Sequence, residues 1–203
     1  MVRAMKQKLF DNGYFDKWYR HPDHRVGSDA DLARLVRFAV TAAEYVLARP
    51  VRSVLDVGAG EARWQPILRK LRPRATYHGV DPSAYAVRRY GKRRNIVQGT
   101  LDDLSDLFPD RRFDLVVSCS VINYLPRDTM VRGIGSIAAR TGGVAYLEIF
   151  TSEDDVEGDT HGWHAESSKT YHRIIRSARL IPCGLHCYIP ADHASSLVAL
   201  ERA

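Results

Sequence analysis

Short apolar runs rich in β-branched residues alternate along this chain with stretches of helical periodicity, and that rhythm leaves few architectures open. Strand-like runs fall at Ser53–Val57, Thr76–Asp81, 95–98, 113–118 and 144–150, with helical segments between them near 63–71, 83–90 and 127–139. Strands that alternate with helices pair in parallel through right-handed crossovers, which makes a doubly wound α/β sheet with helices on both faces. No repeat, low-complexity tract or Pro/Gly/Ser-rich linker interrupts the pattern, so the 203 residues read as one domain with length enough for a real core.

The pattern extends at both ends. Upstream, Leu32, Leu35, Val36, Ala39, Val40, Ala43, Val46 and Leu47 recur at helical spacing over 29–49, with Ser28 placed to cap the start and Pro50 just past the end. Downstream, 167–180 reads as an amphipathic helix with Tyr171, Ile174, Ile175 and Ala178 on one face. Segments 184–189 and 196–200 read as two closing strands. Their short link suits an antiparallel hairpin, since a parallel crossover needs roughly a dozen residues or more.

Hydrophobic residues make up 45% of the chain and charged residues 27%, an ordinary globular balance. No apolar run approaches the roughly 20 residues of a membrane-spanning helix. The first nine residues are basic without an apolar segment behind them, unlike a secretory signal. Cys119, Cys183 and Cys187 show no pairing pattern, so they read as reduced thiols of a cytoplasmic protein. The net charge of +6 raises the question of nucleic acid. Its densest clusters, Arg69-Lys70-Leu71-Arg72-Pro73-Arg74 and Arg88-Arg89-Tyr90-Gly91-Lys92-Arg93-Arg94, stand where helices should end and where cations complement the helix dipole. An RNA-facing surface is the alternative reading.

The chemistry concentrates where strands end. Val54-Leu55-Asp56-Val57-Gly58-Ala59-Gly60 is a strand opening into a glycine turn, which lets backbone approach a ligand closely. A dinucleotide-binding turn would place a third glycine at position 63, where this chain has Arg63, and Asp56 adds negative charge where a phosphate would sit. A ligand with a cationic amino group and no phosphate suits the turn better. Asp81, followed by Pro82-Ser83, ends the second strand, where its carboxylate can accept both hydroxyls of a ribose; the simpler reading is an acid at a helix start. Val97-Gln98-Gly99-Thr100-Leu101 makes a turn able to edge an adenine, and the strand 113–118 opens through Cys119-Ser120-Val121 into a loop beside the same crevice.

These motifs, in this order and spacing, resemble the class I S-adenosylmethionine-dependent methyltransferases over about residues 30–203. The resemblance implies a Rossmann-like, seven-stranded, mostly parallel sheet in the order 3-2-1-4-5-7-6 with strand seven antiparallel. It implies S-adenosylmethionine as methyl donor and S-adenosylhomocysteine as product. Asp56, Gly58, Ala59 and Gly60 would then line its methionine and ribose portion, and Asp81, with Pro82, would hold the ribose. Thr100 and Leu101 would border the adenine, and Ser118 and Cys119 would end the strand beneath the methionine, with Val121 and Tyr124 close behind. Family members often carry an acid at the Thr100 position, and a neutral hydroxyl makes the weaker contact.

Residues 1–27 read as a lid over a methyltransferase domain of residues 28–203, with Tyr14, Tyr19 and Arg25 reaching the cofactor; simple helix docking is the alternative. The loop after the fifth strand carries acids at 153–159, readable as a site for a cationic amine or as a solvated loop. His161 and His164 are the candidate catalytic bases, and with Tyr124 and Trp163 the candidate acceptor contacts; their spacing is a poor metal signature, and no metal is expected. The expected acceptor is a small metabolite methylated at nitrogen or oxygen. RNA methylation or non-catalytic cofactor binding is the alternative, and no membrane partner is expected. The sequence leaves monomer and homodimer open.

Overall fold

The computed structural model describes residues 8 and 10–197. Seven strands form one sheet in the order β3-β2-β1-β4-β5-β7-β6. β1 (Ser53–Val57), β2 (Thr76–Asp81), β3 (Ile96–Gln98), β4 (Phe113–Cys119) and β5 (Thr141–Glu148) run parallel, and β7 (Cys187–Pro190) lies antiparallel between β5 and β6 (Leu180–Gly184). The helices are α1 (Asn12–Phe15, continuing as a π-helical turn Asp16–Arg20), α2 (Asp29–Leu47), α3 (Trp64–Leu71), α4 (Ala84–Arg94), α5 (Leu104–Leu107), α6 (Arg127–Arg140) and α7 (Ser168–Ser177). The sheet order and the antiparallel seventh strand are those the resemblance implied. No helix of the described residues is long and apolar enough to cross a membrane.

Alternation along β1 sends Val54 to one face of the sheet and Leu55 and Val57 to the other. On the first face Val36, Ala39, Val40 and Ala43 of α2, Leu68 of α3 and Tyr90 of α4 pack against Val54, Leu115 and Val117. On the second, Leu104 of α5, Met130, Ile134 and Ile137 of α6 and Ile174 of α7 pack against Leu55, Val116 and Leu147. Burial on both faces is why β4 reads as a continuous apolar run instead of an alternating one.

Local capping agrees with the sequence reading. Ser28 Oγ accepts the Asp31 amide at 3.1 Å while Asp31 Oδ2 accepts the Ser28 amide at 2.7 Å, a reciprocal cap that starts α2. Arg69 and Lys70 close α3, and Lys92, Arg93 and Arg94 close α4, as the dipole argument expects.

The closing elements depart from that reading. β5 begins at Thr141, three residues before the β-branched run, because Gly142 and Gly143 carry no strand signature. A Cβ on Gly143 would stand 2.4 Å from the Asp114 carbonyl oxygen, so β4 and β5 can approach there only with glycine. α7 stops at Ser177, and Arg179 takes a φ of 61°, which swings the chain so that Leu180 opens β6. Segment 184–189 is a turn and a strand, not one strand. Leu185 and His186 have φ of 49° and 63° and join β6 to β7 directly. Two left-handed residues in succession make a primed turn that usually takes Asn or Gly, and Leu-His gives no such signal. Of the strand expected over 196–200, Ser196 instead ends a 3-10 turn (Ala191–Ser196), and residues 198–203 lie outside the described residues.

One polar joint holds the far ends of β1 and β4 to the chain leaving α2. Asp114, 8% exposed, accepts Arg49 Nη1 and Nη2 at 2.9 and 2.7 Å and the Arg52 amide at 2.6 Å. Burial pushes its carboxyl up, but the Arg49 guanidinium and the Arg52 amide outweigh that and hold it below the usual carboxylate range. A depressed carboxyl adds stability above its unfolded pKa and loses it as the pH falls through the folded one. Asp114→Asn is expected to cost about 2 kcal/mol at neutral pH, a fall in Tm of roughly 4–8 °C. Thermal unfolding across pH should show the gap from wild type closing below about pH 4.

Candidate functional site

The C-terminal ends of β1, β2, β4 and β5 open onto a cavity of about 430 Å³. β1 runs into the Gly58-Ala59-Gly60 turn, where Gly58 has a φ of 74°. A Cβ at Gly58 would lie 2.2 Å from Val121 Cγ2, so glycine is what lets the loop after β1 pack beside the loop after β4. The Gly58 and Ala59 amides donate to the Val80 carbonyl at 2.8 and 3.1 Å. The Gly60 amide donates to Asp81 Oδ2 at 2.6 Å, and Asp81 Oδ1 accepts the Ser83 amide at 2.8 Å. The glycine turn and the acidic strand tip are therefore one hydrogen-bonded unit. Burial raises the Asp81 carboxyl against these two amides.

Asp56 lies beneath this unit, 4% exposed, with Tyr77 Oη donating to its Oδ2 at 2.5 Å. Burial, opposed by that hydrogen bond and assisted by the nearby Asp81 charge, pushes its carboxyl up to about 7.

The other walls come from four places. Cys119 ends β4, with Ser120, Val121 and Tyr124 after it, and Glu148 ends β5, with Phe150 after it. Residues 156–159 and Trp163 belong to the loop after β5, while Phe10, Tyr14, Phe15, Trp18 and Tyr19 come from around α1. Ser120 takes a φ of 54° and donates its hydroxyl to Glu148 Oε2 at 2.8 Å. Tyr124 Oη donates to the Asp159 carbonyl at 2.7 Å. Trp163 stacks on Phe150 with ring centroids 5.9 Å apart. Among the described lining residues, Asp56, Asp81, Glu148, Glu157 and Asp159 face a single guanidinium, Arg63, which is itself bound to Asp29 at 2.6 Å, and Asp159 is ion-paired with Lys8. A cavity so charged suits a cationic ligand and resists phosphate.

Of the residues singled out in the sequence, Asp56, Gly58, Ala59, Gly60, Asp81, Pro82, Thr100, Leu101, Cys119, Val121, Tyr124, Tyr14, Tyr19 and Trp163 all line this cavity. Four do not. Ser118 is fully buried, and with Val117 and Cys119 both turned toward the α2–α4 face, strand alternation puts it on the opposite one. Arg25 turns to Asp29, 3.9 Å away at the start of α2, and Arg63 holds the cavity position instead. His161 and His164 have exposed side chains. The loop is fastened through their backbones, the His161 carbonyl accepting Lys8 and the His164 amide donating to the Asn123 carbonyl at 2.7 Å. Neither histidine is among the residues that line the cavity. Among the described residues no group of three His, Cys, Asp or Glu is arranged to hold a metal.

Glu148, Ser120 and Asp159 are cavity groups that sequence reasoning passed over. Glu148 was visible as the one charge in the apolar run 144–150. Asp159 was hidden among acids with different jobs. Glu153 accepts the Ser168 amide at 2.9 Å and Asp154 the Thr151 amide at 2.7 Å, both fastening the loop.

The Asp56 environment generates a pH expectation. A carboxyl raised in the folded state stabilises fully below its unfolded pKa, near the ordinary aspartate value of 3.8, and that stability is lost as pH rises toward about 7. Asp56→Asn should flatten this decline and melt higher than wild type at alkaline pH; parallel melting curves from acid to alkaline pH would contradict it.

Residues 24–182 match a family model described as a methyltransferase domain. A search of curated protein sequences returns no match. Among solved structures the chain resembles a SAM-dependent methyltransferase from Archaeoglobus fulgidus, with TM-score 0.60, 14% identity and coverage of 82% of this chain and 72% of that one. It resembles magnesium protoporphyrin IX methyltransferase from Synechocystis with bound SAH, with TM-score 0.57, 15% identity and coverage of 88% and 92%. It also resembles an O-methyltransferase family protein from Burkholderia thailandensis, with TM-score 0.54, 18% identity and coverage of 79% of this chain but 56% of that one, so it spans little more than half that protein's length. At these identities the likeness is one of fold. The family match covers most of the chain, and the sheet order agrees with it: the chain belongs to the methyltransferase-domain family, as a class I S-adenosylmethionine-dependent methyltransferase.

Proposed function

We propose that this cavity binds S-adenosylmethionine, and that the protein transfers the methyl group to nitrogen or oxygen of a small metabolite in the cytoplasm, releasing S-adenosylhomocysteine. The observation that carries the reading is the buried unit of Gly60 and Asp81 at the mouth of a carboxylate-rich cavity. Each Asp81 oxygen has accepted one amide and keeps a lone pair for a ribose hydroxyl. Gly58, Ala59, Gly60 and Asp56 border the methionine and ribose end, with Cys119, Val121 and Tyr124 across from them. Pro82, Thr100 and Leu101 border the adenine. Thr100 already gives its hydroxyl proton to Asp103 at 2.9 Å, so its oxygen is left to accept. The size fits as well, since ligand pockets usually run from about 300 to 1,000 Å³.

When bound, the cofactor supplies a methyl group already activated on a sulfonium. The protein's part is to align and enclose, and positioning of this kind is worth up to roughly 7–11 kcal/mol. The described part of the N-terminal segment acts as a lid on the domain that begins at residue 28. Its own Phe15 is buried, and its Tyr14 and Tyr19 line the cavity. Burial is the main cause that pushes the Tyr14 hydroxyl up to about 12, so it stays protonated and donates. Glu148, oriented by Ser120, is the carboxylate placed to take a proton from an acceptor that must lose one. The acidic lining supports a small acceptor over RNA, whose phosphates it would repel.

Thermal shift gives the first test: S-adenosylhomocysteine should raise the Tm and NAD should not, and stabilisation by NAD alone would refute the cofactor assignment. In calorimetry, Asp81→Ala should weaken S-adenosylhomocysteine binding by at least about tenfold. Unchanged affinity would remove Asp81 from the ribose site.

A further inference from the structure

Lys8 carries its ammonium into a box made by the cavity's own side chains. Its Nζ lies 4.1 Å from the ring centroid of Tyr124, 5.4 Å from that of Tyr14 and 5.7 Å from that of Phe10. The same nitrogen is ion-paired with Asp159 and donates to the His161 carbonyl at 3.0 Å. Phe10 stands edge-on to both tyrosines, at 83° to Tyr14 and 80° to Tyr124, so the three rings form walls instead of a stack. Phe10, Tyr14, Tyr124 and Asp159 all line the cavity.

A surface lysine ordinarily keeps its charge in water and lays only its stem on the protein. Here the side chains of Lys8 and Asp159 are 21% and 11% exposed, respectively, and withdrawing both charges from water carries a desolvation cost. The surroundings are built to offset that cost for a cation in particular. Ring faces attract it through their quadrupoles, and the carboxylate neutralises it. A neutral group gains from neither, and an anion is repelled. Tyr124 also holds the Asp159 backbone in place, so the acid is fixed before any ligand arrives. The walls converge from the N-terminal segment, the loop after β4 and the loop after β5, and the box therefore exists only in the folded protein.

We infer that this box is the anchoring subsite for the methyl acceptor, that it takes an alkylammonium group, and that Lys8 is a tethered stand-in displaced when the acceptor enters. The inference rests on the methyltransferase reading of the cavity. A tethered competitor is present at high effective concentration and lowers the apparent affinity of a free ligand by the fraction of time the box is filled. Removing the Lys8 charge should therefore strengthen binding of an external ammonium.

The test is calorimetric titration of n-butylammonium chloride into wild type and Lys8→Met, with n-pentanol as the neutral counterpart. Lys8→Met should bind butylammonium at least about fivefold more tightly than wild type, with no comparable gain for pentanol. Adding Asp159→Asn or, separately, Tyr124→Leu to Lys8→Met should abolish the gain, so the result does not hang on one variant folding well. An acetylated lysyl tripeptide titrated in parallel separates a free amine from a protein side chain as the source of the group; the tighter partner names it. Equal butylammonium affinity in wild type and Lys8→Met, or an equal gain for pentanol, would overturn the inference. S-adenosylhomocysteine is titrated into the same samples. Binding of it without a butylammonium gain sinks the ammonium box alone, whereas no binding to wild type sinks the methyltransferase reading beneath it.

Discussion

The buried hydrogen bond from the Gly60 amide to the Asp81 carboxylate joins the ends of two neighbouring strands at the point where the ligand crevice opens. β1 and β2 already pair along their length, from Ser53 with Thr76 to Val57 with Val80. The loop beyond them would be free to wander without this contact and the two amides on the Val80 carbonyl. With them, the glycine turn is held against β2, and Val121 closes in from the β4 side. The shape of the crevice follows from how tightly this corner is packed.

The same corner sets the electrostatics. Asp56 and Asp81 are both nearly inaccessible to water, and burial raises both carboxyls. Glu148 and Asp159 add charge on the far wall. Packing acids this closely around an open cavity destabilises the protein alone and favours a positively charged guest, which relieves the repulsion. Buried charge of this kind is concentrated at ligand sites more often than elsewhere.

The described part of the N-terminal segment is fastened to this corner as well as to the loops after β4 and β5. Ser83 donates its hydroxyl to the Phe10 carbonyl, Phe15 stacks on Tyr85 at 5.6 Å, and Arg20 pairs with Glu61. Glu61 follows the glycine turn directly, while Ser83 and Tyr85 open α4 beside Asp81. Any movement of the segment is thereby coupled to the two loops that shape the crevice, and it brings Tyr14 and Tyr19 with it.

The sequence alone determined the layered α/β plan, because strand and helix periods are local properties of the chain. β1 and β2 could be read to the residue, and the Ser28 cap could be named from its own neighbours. The glycine turn, Asp81 and the turn through Thr100 were legible for the same reason, since each is a few contiguous residues at a strand end. Tertiary structure decided whatever depended on partners distant along the chain. The early start of β5 reflects close approach to Asp114, and the Leu185-His186 turn carries no residue that announces it. Which acid of the loop after β5 would face the cavity, and that both histidines would face away, depended on how that loop folded over Tyr124 and Asn123. Spacing tells which residues can share a face of one element; only packing between elements tells which faces meet.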